Sequence, residues 1–431
     1  MAELVANMTD AIPSMRVLLA TESPLLTTSP ALQTRRLARH LCSKGYEVFI
    51  MAFNHQGEDF FHPEGWIMTA GGSNFGATPL NGVKGVNVID RELNRIQPDV
   101  VYTDLPIWAL TPLVQSCNQF KLPLVSYISH RGLPISRKWV ELLSMIHTPV
   151  FQTKSAYTGF MDLVWKYNSK GTGVIQEERT PFLDRFAIEG ESVQVIPFTP
   201  DTRFGKMKKT DIQEVKDAMG LPDWKFTFLS IGRNLNHRQY PRLLEAFRKL
   251  VYEEGGKEYG LIIHSGNPQD TDGRGFNLIS LVEQMGLSRN VAFSDQSCNM
   301  MEGLSVIDVN KLYNIADAFV TASSAFSKEN VLLEALACGL PVIAPNANIS
   351  TKHEEIRLVP LATQVLGRDE ILYGMVDEYS LKDTMLNVAE TSKKHKGTKT
   401  KGDEMCESLE EALVTASTKP HPNGNNAGIQ Q

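Results

Sequence analysis

Eleven short apolar runs punctuate the chain. Six lie at 16–21, 47–53, 99–104, 124–129, 150–154 and 194–198, and five at 226–231, 259–265, 291–295, 318–323 and 341–345. Each is rich in β-branched and aromatic side chains, is apolar on both faces, and is separated from the next by helix-length sequence. Strands buried on both faces and joined by helical crossovers make parallel sheets, so the pattern predicts a doubly wound α/β fold. The first helix is marked at both ends: Ser29 suits an N-cap, Pro30 the first helical position and Gly45 the residue past the end. Leu32, Leu37, Ala38 and Leu41 form its inward stripe. A second helix is expected from about Glu329 to Cys338, stopping at Gly339-Leu340-Pro341.

Polar, aperiodic sequence at 198–215 separates the two series of strands and predicts a hinge. The chain has 431 residues, more than the roughly 250–300 that one hydrophobic core sustains. The expected division is an N-terminal Rossmann-like domain at 15–198 and a C-terminal one at 199–390. Residues 1–14 read as a leader, 391–417 as a Lys-rich break followed by a C-terminal helix, and 418–431 as a disordered tail with almost no apolar content.

Charge and cysteine content narrow the function classes. The balance of 43 basic and 49 acidic residues is −6, without the basic surplus that a duplex nucleic-acid partner requires, so none is expected. Five scattered cysteines without a CxxC pair read as reduced thiols. The start lacks a signal peptide, and no run of 18 apolar residues occurs, so a cytoplasmic protein without a membrane span is expected. Arg35, Arg36 and Arg39 form a local basic patch through which a peripheral contact with an anionic membrane is expected.

Two segments carry candidate chemistry. In Phe228-Leu-Ser-Ile-Gly-Arg-Asn-Leu-Asn-His-Arg-Gln-Tyr-Pro, a strand ends in Gly232-Arg233, and a polar loop with Arg238 leads into a helix. Forked guanidinium donors and helix-start amides suit phosphate oxygens, although a solvated basic helix face has the same composition. In Ala318–Ala344, a buried strand leads through a polar loop into the helix of Asn330, Val331 and Glu334. That helix start again favours an anion. Glu334 stands among Leu332, Leu333, Ala335 and Leu336, either as an exposed helix residue or buried against a hydroxyl-rich ligand.

Together these segments resemble the C-terminal domain of the GT-B fold, glycosyltransferase family 4 (glycosyl transferases group 1). The family order is kept, with Leu312-Tyr313-Asn314-Ile315-Ala316-Asp317 between them and the hinge residues Ile196-Pro197 and Asp201-Thr202-Arg203-Phe204 before them. The resemblance spans 16–390, and is specific in motif only over 194–345. It implies two Rossmann-like domains facing a cleft, and a transfer of sugar from a nucleotide-diphosphate sugar to a saccharide, lipid-linked or protein acceptor, with retention. By the same resemblance Arg233 and Arg238 bind the donor diphosphate, Asn330 and Val331 bring helix amides to it, and Glu334 binds the ribose. No metal and no other cofactor is expected. His130, after the strand at 124–129, is the candidate residue facing the sugar; the bland alternative is a capping or exposed histidine. His147 reads as structural. Asp270-Thr271-Asp272-Gly273 has the D-x-D of metal-dependent transferases but the composition of a turn.

The departures from the family pattern are specific. Its first motif glutamate, eight positions before Glu334, falls on Phe326, so the E-x7-E motif is degenerate. The first strand-to-helix loop, usually glycine-rich, is Glu22-Ser-Pro-Leu-Leu-Thr-Thr-Ser29. A second expectation therefore stands beside the enzyme: a catalytically silent relative that keeps the fold as a nucleotide-sugar binding or assembly module.

Overall fold

The computed structural model describes residues 15–53, 55, 58–71, 88–130, 132–168, 193–269, 275–294, 303–324, 330–347, 352–367, 371–391, 397 and 403–419. The expected leader, nearly all of the Lys-rich break and all but the start of the tail lie outside them.

The first half runs β1 (Arg16–Glu22), α1 (Ser29–Ser43), β2 (Glu47–Phe53), β3 (Phe60–Phe61), β4 (Ile67–Ala70), α2 (Val88–Ile96), β5 (Val100–Thr103), α3 (Thr111–Gln119), β6 (Leu124–Ile128), α4 (Arg137–Ser144), β7 (Thr148–Phe151), α5 (Lys154–Asn168) and β8 (Gln194–Val195). Its sheet has the order β3-β4-β2-β1-β5-β6-β7-β8, parallel except where β3 meets β4. Period-two alternation sends Leu18 and Ala20 of β1 into one core, with α2 to α5, and Val17 and Leu19 into the other, with α1.

The second half runs α6 (Lys209–Ala218), β9 (Phe226–Ile231), α7 (Tyr240–Tyr252), β10 (Tyr259–His264), α8 (Leu278–Gln284), β11 (Val291–Phe293), α9 (Val306–Ile315), β12 (Ala318–Val320), α10 (Asn330–Ala337), β13 (Val342–Pro345), β14 (Ile356–Val359), β15 (Leu361–Leu366), β16 (Leu372–Val376), α11 (Glu378–Thr391) and α12 (Glu404–Thr418). Its sheet, β11-β10-β9-β12-β13-β14, is parallel throughout. Strands β15 and β16 form a separate antiparallel hairpin. All eleven expected strands are present. Five further ones, β3, β4, β14, β15 and β16, escaped the apolar-run criterion: β3 has two residues, and β14 and β15 are largely exposed.

Two local expectations are corrected. The N-cap of α1 is Thr28, not Ser29. Thr28 holds the extended φ/ψ of −72° and 156° and its Oγ1 accepts from the Ala31 amide, whereas Ser29 is already helical. The basic patch also loses Arg36, which is buried, donating to the Thr199 carbonyl at 2.6 Å and to Asp403 at 2.8 Å, while Arg39 stays exposed beside Glu64. A guanidinium used inside the protein cannot face a lipid surface.

Helix α12 returns to the first half. Met405, Cys406, Leu409, Ala412, Leu413 and Ala416 are buried in the same core as Val17 and Leu19, at the three- and four-residue spacing of one helix face. The chain thus crosses between the halves twice, and Arg36 holds a residue of each crossing, Thr199 and Asp403. No described helix is long and apolar enough to cross a membrane, and the described cysteines form no disulfide.

Candidate functional site

In the second sheet β9 and β12 are neighbours, while the chain leaves β9 toward β10 on one side and reaches β13 from β12 on the other. Connections from adjacent parallel strands that depart in opposite directions leave a crevice at the strands' carboxyl ends, and ligands bind there. The two candidate segments meet that crevice: Gly232 to Arg238 follows β9, and Thr321 to Ser324 follows β12, with Asn330 opening the next helix.

The loop after β9 is braced from inside. Tyr240, the first residue of α7, is buried and donates its hydroxyl to the Gly232 carbonyl at 2.5 Å. Asn234, also buried, donates to the carbonyls of Asn267 and Phe276 and accepts from the Phe276 amide. Arg238 folds back across Gly232: a Cβ there would lie 3.1 Å from Nε and 3.2 Å from Cζ. A side chain at 232 would press on that guanidinium. Arg233 is exposed at the rim of the loop.

On the β12 side, Ser324 donates to the His237 carbonyl through its amide at 2.8 Å and its hydroxyl at 2.9 Å, which fastens the two loops together. Asn330 opens α10 and is buried. Its Nδ2 donates to Ser29 Oγ at 2.6 Å, joining the first turn of α10 to the first turn of α1 across the two halves, and its buried Oδ1 has no hydrogen-bond partner among the described residues. Val331 follows, partly exposed, at the start of the same helix.

Glu334 lies one turn further on, half-buried. The fully buried Tyr313 of α9 donates its hydroxyl to Glu334 Oε2 at 2.9 Å. Burial pushes the Glu334 carboxyl from its ordinary 4.5 up to about 7. The Tyr313 bond opposes that shift, the Asp201 charge adds to it, and Arg36 opposes it. Burial and then Glu334 push the Tyr313 phenol upward, with Arg238 pulling it down. Arg238 and Glu334 therefore act on one tyrosine from the two loops.

His130 follows β6 in the first half. It is buried, and its Nδ1 lies against both the carbonyl and the amide of Gly132. Asp104, buried at the end of the neighbouring β5, and Glu22, buried at the end of β1, share the same sheet edge. The glycine-free first loop closes on itself, Thr28 donating to Glu22 at 2.5 Å. Phe326 and Asp270 to Gly273 lie outside the described residues.

Arg238, Asn330, Val331 and Glu334 thus belong to one crevice, with Arg233 at its rim and His130 on the other domain. Tyr313, Tyr240, Asn234 and Ser29 were missed as site residues. Tyr313 carried a readable signal, a phenol beside the Ala316-Asp317 motif; for Ser29 the partner is 301 positions away, and nothing local announces it.

Residues 211–353, from α6 past β13, match the family model described as Glycosyl transferases group 1. No curated protein matches the chain. Among solved structures, HepE of Anabaena in complex with UDP and glucose is 16% identical with a TM-score of 0.59, over 94% of this chain and 95% of that one. Sucrose-phosphate synthase from Thermosynechococcus elongatus is 14% identical with a TM-score of 0.59, over 94% and 96%. WaaG, a glycosyltransferase involved in lipopolysaccharide biosynthesis, is 13% identical with a TM-score of 0.57, over 94% and 95%. The likeness is one of fold: two facing Rossmann-like domains in the GT-B arrangement.

Proposed function

From a chain that carries a glycosyl transferases group 1 domain in a GT-B frame, we propose a glycosyltransferase that moves a sugar from a nucleotide-diphosphate donor to a saccharide, lipid-linked or protein acceptor. The observation that carries this reading is the pairing of β9 with β12, which brings the Arg238 loop and the Glu334 helix to one crevice, joined by Ser324 and His237. Arg233 and Arg238 hold the donor diphosphate, and the amides at Asn330 and Val331 complete an anion site at the start of α10. Glu334 accepts from the ribose hydroxyls. Charge developing on the leaving diphosphate meets fixed guanidinium and amide donors, so the reaction needs no metal. His130 faces the transferred sugar from the first domain, where the acceptor sits. Transfer proceeds with retention and in the cytoplasm. HepE was solved with UDP, which makes UDP the first nucleotide to try.

Isothermal titration tests the donor site. Arg233→Ala should weaken nucleotide-diphosphate binding at least about tenfold, the loss of one charge-assisted contact. Unchanged affinity would sink the assignment. The metal-free clause is tested by measuring transfer in EDTA, where turnover should equal that in buffer.

The silent alternative is favoured by Phe326 in place of the family's first motif glutamate and by the glycine-free loop Glu22 to Ser29. It would bind nucleotide sugars without releasing sugar. Sugar release that disappears in Glu334→Gln rules it out.

A further inference from the structure

Strand β16 touches both halves of the proposed site. Its Leu372 amide donates to the Leu133 carbonyl of the first domain at 3.0 Å, and its Gly374 amide donates to the Ser324 carbonyl at 2.9 Å. Amides two residues apart on a strand point to the same edge. One edge of β16 therefore bonds the loop after β6 and the loop after β12, while the other lies along β15. Ser324 in turn holds His237, the residue before Arg238.

Packing reinforces the hydrogen bonds. Ile371, buried just ahead of β16, fills the space over Gly132: a Cβ at 132 would stand 2.7 Å from Ile371 Cγ2. On its other side the loop is seated in its own domain, because the Leu133 side chain rests on Gly159 of α5, where a Cβ would collide with it. The Gly132 carbonyl is the one that receives the His130 ring. The backbone segment that orients His130 is thus gripped between Gly159 of the first domain and Ile371-Leu372 of the second.

We propose that Ile371 and Leu372 position His130, so that the histidine ring faces the sugar only while β16 is seated on Gly132-Leu133 and the two domains are closed. The inference rests on the role given to His130 above. Ile371 and Leu372 act through the loop and are positioning residues; neither is assigned contact with substrate.

The test is a suppressor pair. Gly132→Ala should lower kcat at least about tenfold while donor affinity stays within about twofold, since the donor loops are untouched. Gly132→Ala combined with Ile371→Ala, which removes the colliding methyl, should recover most of the loss. Ile371→Phe should reproduce the defect from the opposite side in a chain whose loop is native. Wild-type kcat in Gly132→Ala, or a double variant no better than the single, overturns the coupling. Hydrogen exchange at the Leu372 amide reads the contact without any substrate: it should be slow in the wild type, fast in Gly132→Ala and slow again in the double variant, and fast exchange in the wild type overturns it equally. His130→Ala measured alongside separates the two readings. Wild-type turnover in that variant refutes the role of the histidine, whereas the exchange pattern continues to report on β16.

Discussion

Glu334 meets two opposing demands. A carboxyl accepts from two ribose hydroxyls most strongly when ionised, yet burial pushes that of Glu334 to about 7. The groups that face it are Tyr313, which favours the charged form, Asp201, which disfavours it, and Arg36, which favours it. Because the folded value lies above the ordinary 4.5, the native state binds the extra proton between those two values. Stability is therefore lost as pH rises through that window, and the full cost of the buried charge is present above it. Glu334→Gln should raise the melting temperature at pH 8 and leave it nearly unchanged at pH 4, which differential scanning calorimetry can read. Nucleotide affinity should strengthen from pH 6 to pH 8 in the wild type and stay flat in Glu334→Gln; a flat wild-type titration would remove the ribose role. The position of Glu334 was readable in its motif, as were Arg233 and Arg238. Its burial and its bond to Tyr313, on another helix, were not readable, although Tyr313 itself stands beside the Ala316-Asp317 motif.

At the scale of elements, the helices and the inner strands follow from local pattern: apolar runs, a Pro in the first turn of α1, and Gly45 at φ 91° past its end. The destination of α12 does not. Its apolar face was visible as a helix, but which sheet it covers depends on the path of the chain through both crossings. Arg36 shows how that path is held, with one guanidinium bonded to Thr199 on the first crossing and Asp403 at the second. Arg36→Ala should cost about 1–3 kcal/mol, the range for removing a partner from buried polar groups. Chemical denaturation measures it, and an unshifted midpoint would show the clasp to be unimportant. Arg36→Lys keeps the charge but loses the fork and should recover only part of the loss. In sequence the same residue read as a surface cation beside Arg35 and Arg39, because three arginines within five positions carry no mark of which one turns inward.

For the whole molecule, length required two cores, and alternation of strand and helix required two parallel sheets; both requirements come from short-range pattern and from the limit on core size. The two candidate segments were also readable, because each runs from a strand through a loop into a helix over neighbouring residues. The sequence by itself therefore determined the fold class, the division into two sheets and the candidate segments after β9 and β12. Tertiary structure alone decided which of those residues share one crevice, through the adjacency of β9 and β12. It also decided that Arg36 is internal, that Ser29 meets Asn330, and that β16 grips the His130 loop. These are contacts between segments far apart in the chain, made by backbone amides and small polar side chains whose local sequence has no period and no composition to betray them. Pairing across such distances is settled only when the two sheets pack and the chain closes its two crossings.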